Sequence, residues 1–183
     1  MEDSVQAQTA QQLTAARHLA AAGEAHQYLT FALASEMYAV GILNVKEIIE
    51  YGNLTEIPMM PAFIRGVINL RGGVVPVIDL AARFGGKESQ VGKRTCIVIV
   101  EMRHDDIKQD LGIMVDAVSE VLEIQGSEIE PAPSFGAKIR ADFIAGMGKV
   151  AGKFVIILDI QRVLSIDGMA AVLANVADAH AEA

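Results

Sequence analysis

Phe63-Ile64-Arg65-Gly66-Val67-Ile68-Asn69-Leu70-Arg71-Gly72-Gly73-Val74-Val75-Pro76-Val77-Ile78-Asp79-Leu80 decides the fold, because the chain writes this pattern twice. Laid over Phe143–Ile160 at a constant offset of 80 with no gap, Phe63, Ile64, Gly66, Gly72, Val75 and Asp79 meet identical residues. Most other pairs exchange one apolar side chain for another, such as Val77 with Ile157. Within the stretch, apolar runs flank a turn at Arg71-Gly72-Gly73, which is the signature of a β-hairpin. Pro76 lies in the return strand and cannot donate a ladder hydrogen bond, so an edge or a bulge is expected there.

A second match, at an offset of 73, sets Val45-Lys46-Glu47-Ile48-Ile49-Glu50 over Val118-Ser119-Glu120-Val121-Leu122-Glu123, with Pro58 on Pro131. Both matches occur in the same order. The chain therefore reads as an internal duplication, with one copy in about 27–85 and the other in about 95–160. Each copy has too few strands to close a large core alone, so the lobes either pack closely or exchange strands. The copies differ at Arg65 and Arg71, which face Ala145 and Ala151. A hairpin that accepts a methyl group at both positions does not need arginine, so interaction chemistry is the better account of Arg65 and Arg71.

Outward from the repeat, period-two alternation through Leu29, Phe31 and Leu33, then Tyr38, Val40 and Ile42, predicts a strand–turn–strand unit. Asn44 with Glu47 three residues on predicts a capped short helix, with an extended Val45–Glu50 as the alternative. Further strands are expected at 95–102, 111–118, 143–150 and 153–159, with the polar stretch 103–110 as a hairpin tip. Residues 1–25, rich in Ala and Gln, read as a frayed helix or a mobile N-terminal arm, and 167–183 as an Ala-rich helix or tail in which Met169, Val172, Leu173 and Val176 recur at helical spacing.

The chain has 183 residues, 52% of them hydrophobic, which suffices for a substantial core and argues against general disorder. A net charge of -8 repels phosphate backbones, so nucleic acid is excluded as a partner class. No segment reaches the ~18 apolar residues of a membrane helix, and the start of the chain lacks the features of a signal peptide. A soluble cytoplasmic protein is expected. Cys96, the sole cysteine, sits in an apolar run and reads as a buried thiol. His18, His26, His104 and His180 are too scattered for a metal site, and no phosphate loop or nucleophile–base pair emerges. No enzyme, cofactor or metal is expected, so the chain must act by binding. Val45, Ile48, Val118 and Val121 are candidates for an exposed apolar surface, with core packing as the competing reading. Arg71 is a candidate polar anchor, and Glu47 a candidate ion-pair partner for it.

The stretch from Pro61 to Gly72, continuing through Val75-Pro76-Val77-Ile78-Asp79-Leu80, closely resembles the signature of CheW-like domains. Val45-Lys46-Glu47-Ile48, Asp116–Val121 and Ile129–Pro133 extend the resemblance over about 26–166. It implies a mainly β fold of two intertwined SH3-like five-stranded barrels. It also implies an adaptor that bridges the cytoplasmic tips of chemoreceptors to the regulatory domain of the histidine kinase CheA, recruited to membrane-associated arrays without inserting into the membrane. Carried over residue by residue, it points to Val45, Glu47 and Gly66 for kinase contact and to Gly112, Val121 and Gly146 for receptor contact. Asn69, Arg71 and Gly72 form the signature hairpin. The alternatives are a detached regulatory domain of a signalling kinase and a small-molecule-binding β-barrel.

Overall fold

The structure, a computed structural model, describes residues 7–13, 26–104, 106–132 and 141–164. The expected helical tail over 167–183 and most of the N-terminal arm lie outside these residues. Within the arm, residues 7–13 form a helix, α1, that buries Thr9 and places Leu13 in the main core.

Eleven strands follow in the described chain. The first half supplies β1 (Gln27–Leu33), β2 (Glu36–Gly41), β3 (Val45–Glu50), β4 (Ile64–Leu70) and β5 (Gly73–Asp79). The second half supplies β6 (Cys96–His104), β7 (Ile107–Val115), β8 (Ala117–Glu123), β9 (Ile129–Glu130), β10 (Ile144–Val150) and β11 (Lys153–Leu158). A helical turn, α2 (Leu80–Arg83), follows β5, and another, α3 (Ile160–Val163), follows β11.

The strands form two sheets, ordered β3-β6-β7-β5-β4 in the first lobe and β8-β1-β2-β11-β10-β9 in the second. Lobes and sequence halves therefore do not coincide. The hairpin β6–β7 of the second half is built into the first lobe, and the hairpin β1–β2 of the first half into the second. Of the two arrangements open to the duplicated sequence, strand exchange is the one adopted.

The copies correspond in detail. The parallel pairing of Val77, Ile78 and Asp79 with Gly112, Ile113 and Met114 matches that of Ile157 and Leu158 with Ala39 and Val40. Bulges recur between Ile64 and Gly66 and between Ile144 and Gly146. Another equivalent pair falls where β3 meets β6 and where β1 meets β8. Each sheet is also tied across its ends. Thr55, downstream of β3, exchanges both backbone hydrogen bonds with Val67 of β4, at 2.9 and 2.8 Å. Downstream of β8, the short β9 pairs with β10 in the same way. Each strand order thus returns on itself, in keeping with the expected barrels.

This closure explains two residues of the signature stretch. Val67 spends its backbone groups on Thr55, so the facing Pro76 sits in a non-hydrogen-bonded pair, and the ladder from β5 to β7 begins only at Val77. Gly66 stands where Thr55 crosses. A β-carbon there would lie 2.3 Å from the Thr55 carbonyl oxygen, and φ is 151°.

The exchange also accounts for the uninterrupted apolar run of β6, which is buried on both faces. Ile97 and Ile99 turn into the first lobe with Ile68, Val75, Val77 and Met114. Val98 and Val100 turn the other way, into a larger core with Leu29, Phe31, Val40, Ile113, Leu80 and Ile160. That core draws on both sheets and both helical turns, so the lobes share one apolar interior. A third, smaller cluster of Ala39, Ile124, Val155 and Ile157 fills the second lobe.

Two local expectations are corrected. Val45–Glu50 is a strand, preceded by a 3-10 turn at Ile42–Asn44, and no capped helix forms. Val45, Ile48 and Ile49 gain a full ladder against β6, which outweighs a marginal helix of two turns. The polar stretch 103–110 is mostly strand: Glu101 pairs with Asp110 and Arg103 with Lys108. β1 matches β6 at an offset of 69, whereas β2 matches β7 at 73, so this hairpin is four residues longer than its counterpart.

Gly66→Ala is expected to cost about 3 kcal/mol or more in urea unfolding, because strain and a backbone clash add. Gly72→Ala, where a β-carbon would meet nothing but φ is 82°, should cost only about 1 kcal/mol. Equal losses at the two sites would contradict the closure at Thr55.

Candidate docking faces

The β4–β5 hairpin turns through Arg71 (φ 53°) and Gly72 (φ 82°), the two positive dihedrals of a type I′ turn. The Asn69 side-chain oxygen accepts from the Gly72 N–H at 3.1 Å and braces the bend. The second copy makes the same turn with Ala151 (φ 50°) and Gly152 (φ 81°). Asn69 and Gly72 thus serve the turn itself. Arg71 occupies a left-handed position where its counterpart is alanine, and its side chain extends outward.

There it meets Glu47. The Arg71 Nη2 donates to Glu47 Oε2 at 2.8 Å, joining the hairpin tip to β3. The bulge in β3 makes this contact available: Val45 pairs with Val100 and Glu47 with Ile99, so Lys46 is the extra residue. Val45 is fully buried, while Lys46 reaches Asp110 of β7 at 3.1 Å. Two ion pairs therefore lie along β3. The equivalent bulge in β8 is fastened differently: the buried Thr30 hydroxyl accepts from the Glu120 N–H at 3.1 Å and donates to the Glu120 carbonyl at 2.9 Å. With Ala151 in place of arginine, the second lobe has no copy of the Glu47–Arg71 pair.

The three candidate glycines are buried and act through the approach of neighbouring groups. A β-carbon at Gly112 would lie 2.6 Å from Ile97 Cγ2, and one at Gly146 would lie 2.6 Å from Ile129 Cγ2 and 3.2 Å from the Glu130 carbonyl. Gly146 is the repeat partner of Gly66, and both admit a crossing strand. Val121 is half-buried on β8 beside Leu29. Ile48, its repeat partner, is likewise half-buried, and both pack against the shared core with Val118. The structure thus brings Glu47, Arg71, Asn69 and Gly72 together at one end of the first lobe. The three glycines and Val45 lie beneath the surface.

Sequence reasoning passed over two groups. Asp79 is fully buried; its carboxylate accepts from the Ala82 N–H at 3.3 Å and the Ser89 N–H at 2.7 Å, fastening the 84–90 loop. Arg65 lies 4.0 Å from Asp79 and 3.6 Å from Glu88 on that loop, which gives the second unrepeated arginine its role. Arg83 is the other: its guanidinium lies over the rings of both Phe63 and Phe143. The repeat signalled it, because extending the offset of 80 by three residues sets Arg83 against Val163.

A cleft of about 520 Å³ runs between the β1–β2 turn and the 84–90 loop, lined by Leu33, Tyr38, Phe84, Glu88 and Asp116 among others. Two of its three carboxylates have structural duties: Asp116 accepts from the Ala34 N–H at 2.9 Å, and Glu88 pairs with Arg65, while Glu36 is the third. Burial pushes the Tyr38 phenol above its ordinary pKa, with Glu36 adding to the rise, and burial likewise raises Tyr28. Among the described residues no three His, Cys, Asp or Glu gather as a metal site, and no helix is long and apolar enough to cross a membrane.

Fold and faces define a class: a duplicated, strand-exchanged β scaffold whose distinctive chemistry stands at a hairpin tip and along strands. Comparison with known proteins gives the family. The CheW-like domain model matches residues 27–167, and the chain belongs to the CheW family of chemotaxis scaffold proteins. It is 36% identical over 154 residues to the chemotaxis protein CheW of Klebsiella aerogenes, covering 84% of this chain and 90% of that protein. The CheW of Helicobacter pylori is 34% identical over 144 residues, covering 79% and 84%. Among solved structures, the scaffolding protein TtCheW from Thermoanaerobacter tengcongensis superposes with a TM-score of 0.70 at 38% identity, covering 79% of this chain and 90% of that one.

The Arg71 side chain is 78% exposed and that of Glu47 25%, so water and salt screen the pair. A double-mutant cycle with Glu47→Gln and Arg71→Ala should give a coupling energy of about 0.5 kcal/mol, with the fold retained. A coupling of several kcal/mol would make the pair a stability element instead.

Proposed function

We propose that this protein couples chemoreceptors to the histidine kinase CheA, as a cytoplasmic adaptor recruited to membrane-associated arrays. The first lobe docks the regulatory domain of the kinase. Glu47 and the Arg71 hairpin form the polar rim of that face, Val45 backs it from the core, and Gly66 holds its curvature by admitting Thr55. The receptor's cytoplasmic tip lies in the apolar groove between the lobes, where Val121 contributes exposed surface and Gly112 and Gly146 set the spacing of the strands beneath. Information passes by contact, and no bond is made or broken.

The Glu47–Arg71 pair carries this reading. Such a pair contributes little to stability, the second copy dispenses with it, and it holds a planar donor fork at a fixed place on the surface. That is the economy expected of a recognition element. Membership of a chemotaxis scaffold family supplies the class of partner. Because contacts of this kind bury modest area, array avidity would add to single-site affinity.

Pull-down with the purified kinase and a receptor fragment tests the reading. The wild-type protein should retain both, and Arg71→Ala should weaken kinase binding about tenfold, in the range of a charged interfacial contact, while the receptor fragment is still held. Retention of neither partner by the wild-type protein would favour the small-molecule reading, with the cleft beside Tyr38 and Phe84 as the place to look.

A further inference from the structure

Arg83 and Val163 are the last residues of α2 and α3 and occupy equivalent positions in the two copies. In a molecule with internal two-fold character, equivalent positions that touch do so across the axis. These two touch: the Arg83 Nε donates to the Val163 carbonyl at 3.0 Å. The same guanidinium lies over two rings, 5.5 Å from the centroid of Phe63 and 5.0 Å from that of Phe143. Phe63 and Phe143 are themselves repeat partners, each accepting through its carbonyl from the capping aspartate of its own copy, Asp79 at 2.7 Å and Asp159 at 2.9 Å. A single side chain thus engages both copies of one aromatic position and the end of the opposite helical turn.

We infer that Arg83 is a positioning residue that pins the lobes at a fixed angle and so keeps their docking faces in register. Leucine or valine there could pack on the rings, but neither could satisfy Val163, a fully buried residue whose carbonyl ends a helical turn. A guanidinium does both, because its carbon lies over the two rings while its Nε donates to the carbonyl. The contact also extends a row of rings, Phe31 to Tyr38 at 6.1 Å, Tyr38 to Phe84 at 5.7 Å and Phe84 to Phe143 at 6.1 Å, which runs from the exchanged β1–β2 hairpin to the junction. The consequence for coupling rests on the adaptor reading above; the pin itself does not.

The test is Arg83→Met, which keeps an apolar stem beside the rings and removes the donor and the charge, with Arg83→Lys as a second variant that keeps a charge but not the planar fork. Spin labels placed at Glu50→Cys on β3 and Lys149→Cys on β10, with buried Cys96 changed to Ala, report the spread of inter-lobe distances. The wild-type distribution should be narrow and that of Arg83→Met clearly broader, with Arg83→Lys between them. Exchange of the Val163 and Leu164 amides should quicken about tenfold, as expected for losing a charged hydrogen bond. Far-UV circular dichroism should be unchanged. In the presence of partners, Arg83→Met should bind kinase and receptor fragment singly as the wild type does, yet fail to stimulate the kinase when both are present. Wild-type label widths and exchange rates in Arg83→Met would overturn the pin, whatever the partners do. A wild-type protein that binds neither partner would overturn the adaptor reading, and the label widths would then decide the pin by themselves.

Discussion

Four ladders join the halves of the sequence, and the two short parallel ones complete each lobe. β5 meets β7 through Val77, Ile78 and Asp79, and β11 meets β2 through Ile156, Ile157 and Leu158. Each joins a strand of one half of the sequence to a hairpin of the other, and the rest of the architecture depends on this exchange. With the hairpins in place, each sheet closes through Thr55 or β9, and β6 becomes buried on both faces. The largest core then forms between the sheets, because each half turns apolar residues toward the other. A lobe built from one half alone would lack two strands and the side chains that fill its interior.

Duplication gives the molecule near-symmetry, and the symmetry fails at three arginines. Three arginines of the first half face smaller side chains in the second: Arg65 faces Ala145, Arg71 faces Ala151 and Arg83 faces Val163. Each has a distinct partner. Arg65 lies near Asp79 and Glu88 on the 84–90 loop, Arg71 meets Glu47 on the surface, and Arg83 joins the copies at the junction. The copies therefore share the residues that shape hairpins, bulges and caps: Gly66 with Gly146, Asp79 with Asp159, Gly72 with Gly152. They diverge in arginines whose contacts have no copy in the other half, which makes the two lobes chemically distinct.

Much of this was legible in the sequence. The offsets of 80 and 73 predicted two lobes, and Arg71 facing Ala151 identified an arginine the hairpin does not require. The Glu47–Arg71 pair was expected from a different argument, the placing of Glu47 beside the first-lobe surface and Arg71 on the hairpin, and is present. Strand exchange was legible only as one of two options, because no local pattern states which half a hairpin pairs with. The strand at Val45–Glu50 was obscured by Asn44 and Glu47, whose spacing imitates a capping box; the partner that decides the matter, β6, lies some fifty residues away in the chain. Charged side chains made 103–110 read as a loop, although Arg103 and Lys108, paired across the ladder, are exposed and so carry charge within a strand. The glycines carried a signal of a different kind, since close approach of Thr55 or Ile129 leaves no trace except the missing side chain.

Amide exchange at the two parallel ladders tests the strand-exchanged architecture most directly. If each lobe is built from both halves, neither can open without disrupting the other. The protected amides of Val77–Asp79 with Gly112–Met114, and those of Ile156–Leu158 with Tyr38–Val40, should then exchange with one common free energy equal to that of global unfolding. A ladder that opens on its own, several kcal/mol below global unfolding, would show independent lobes and contradict this account.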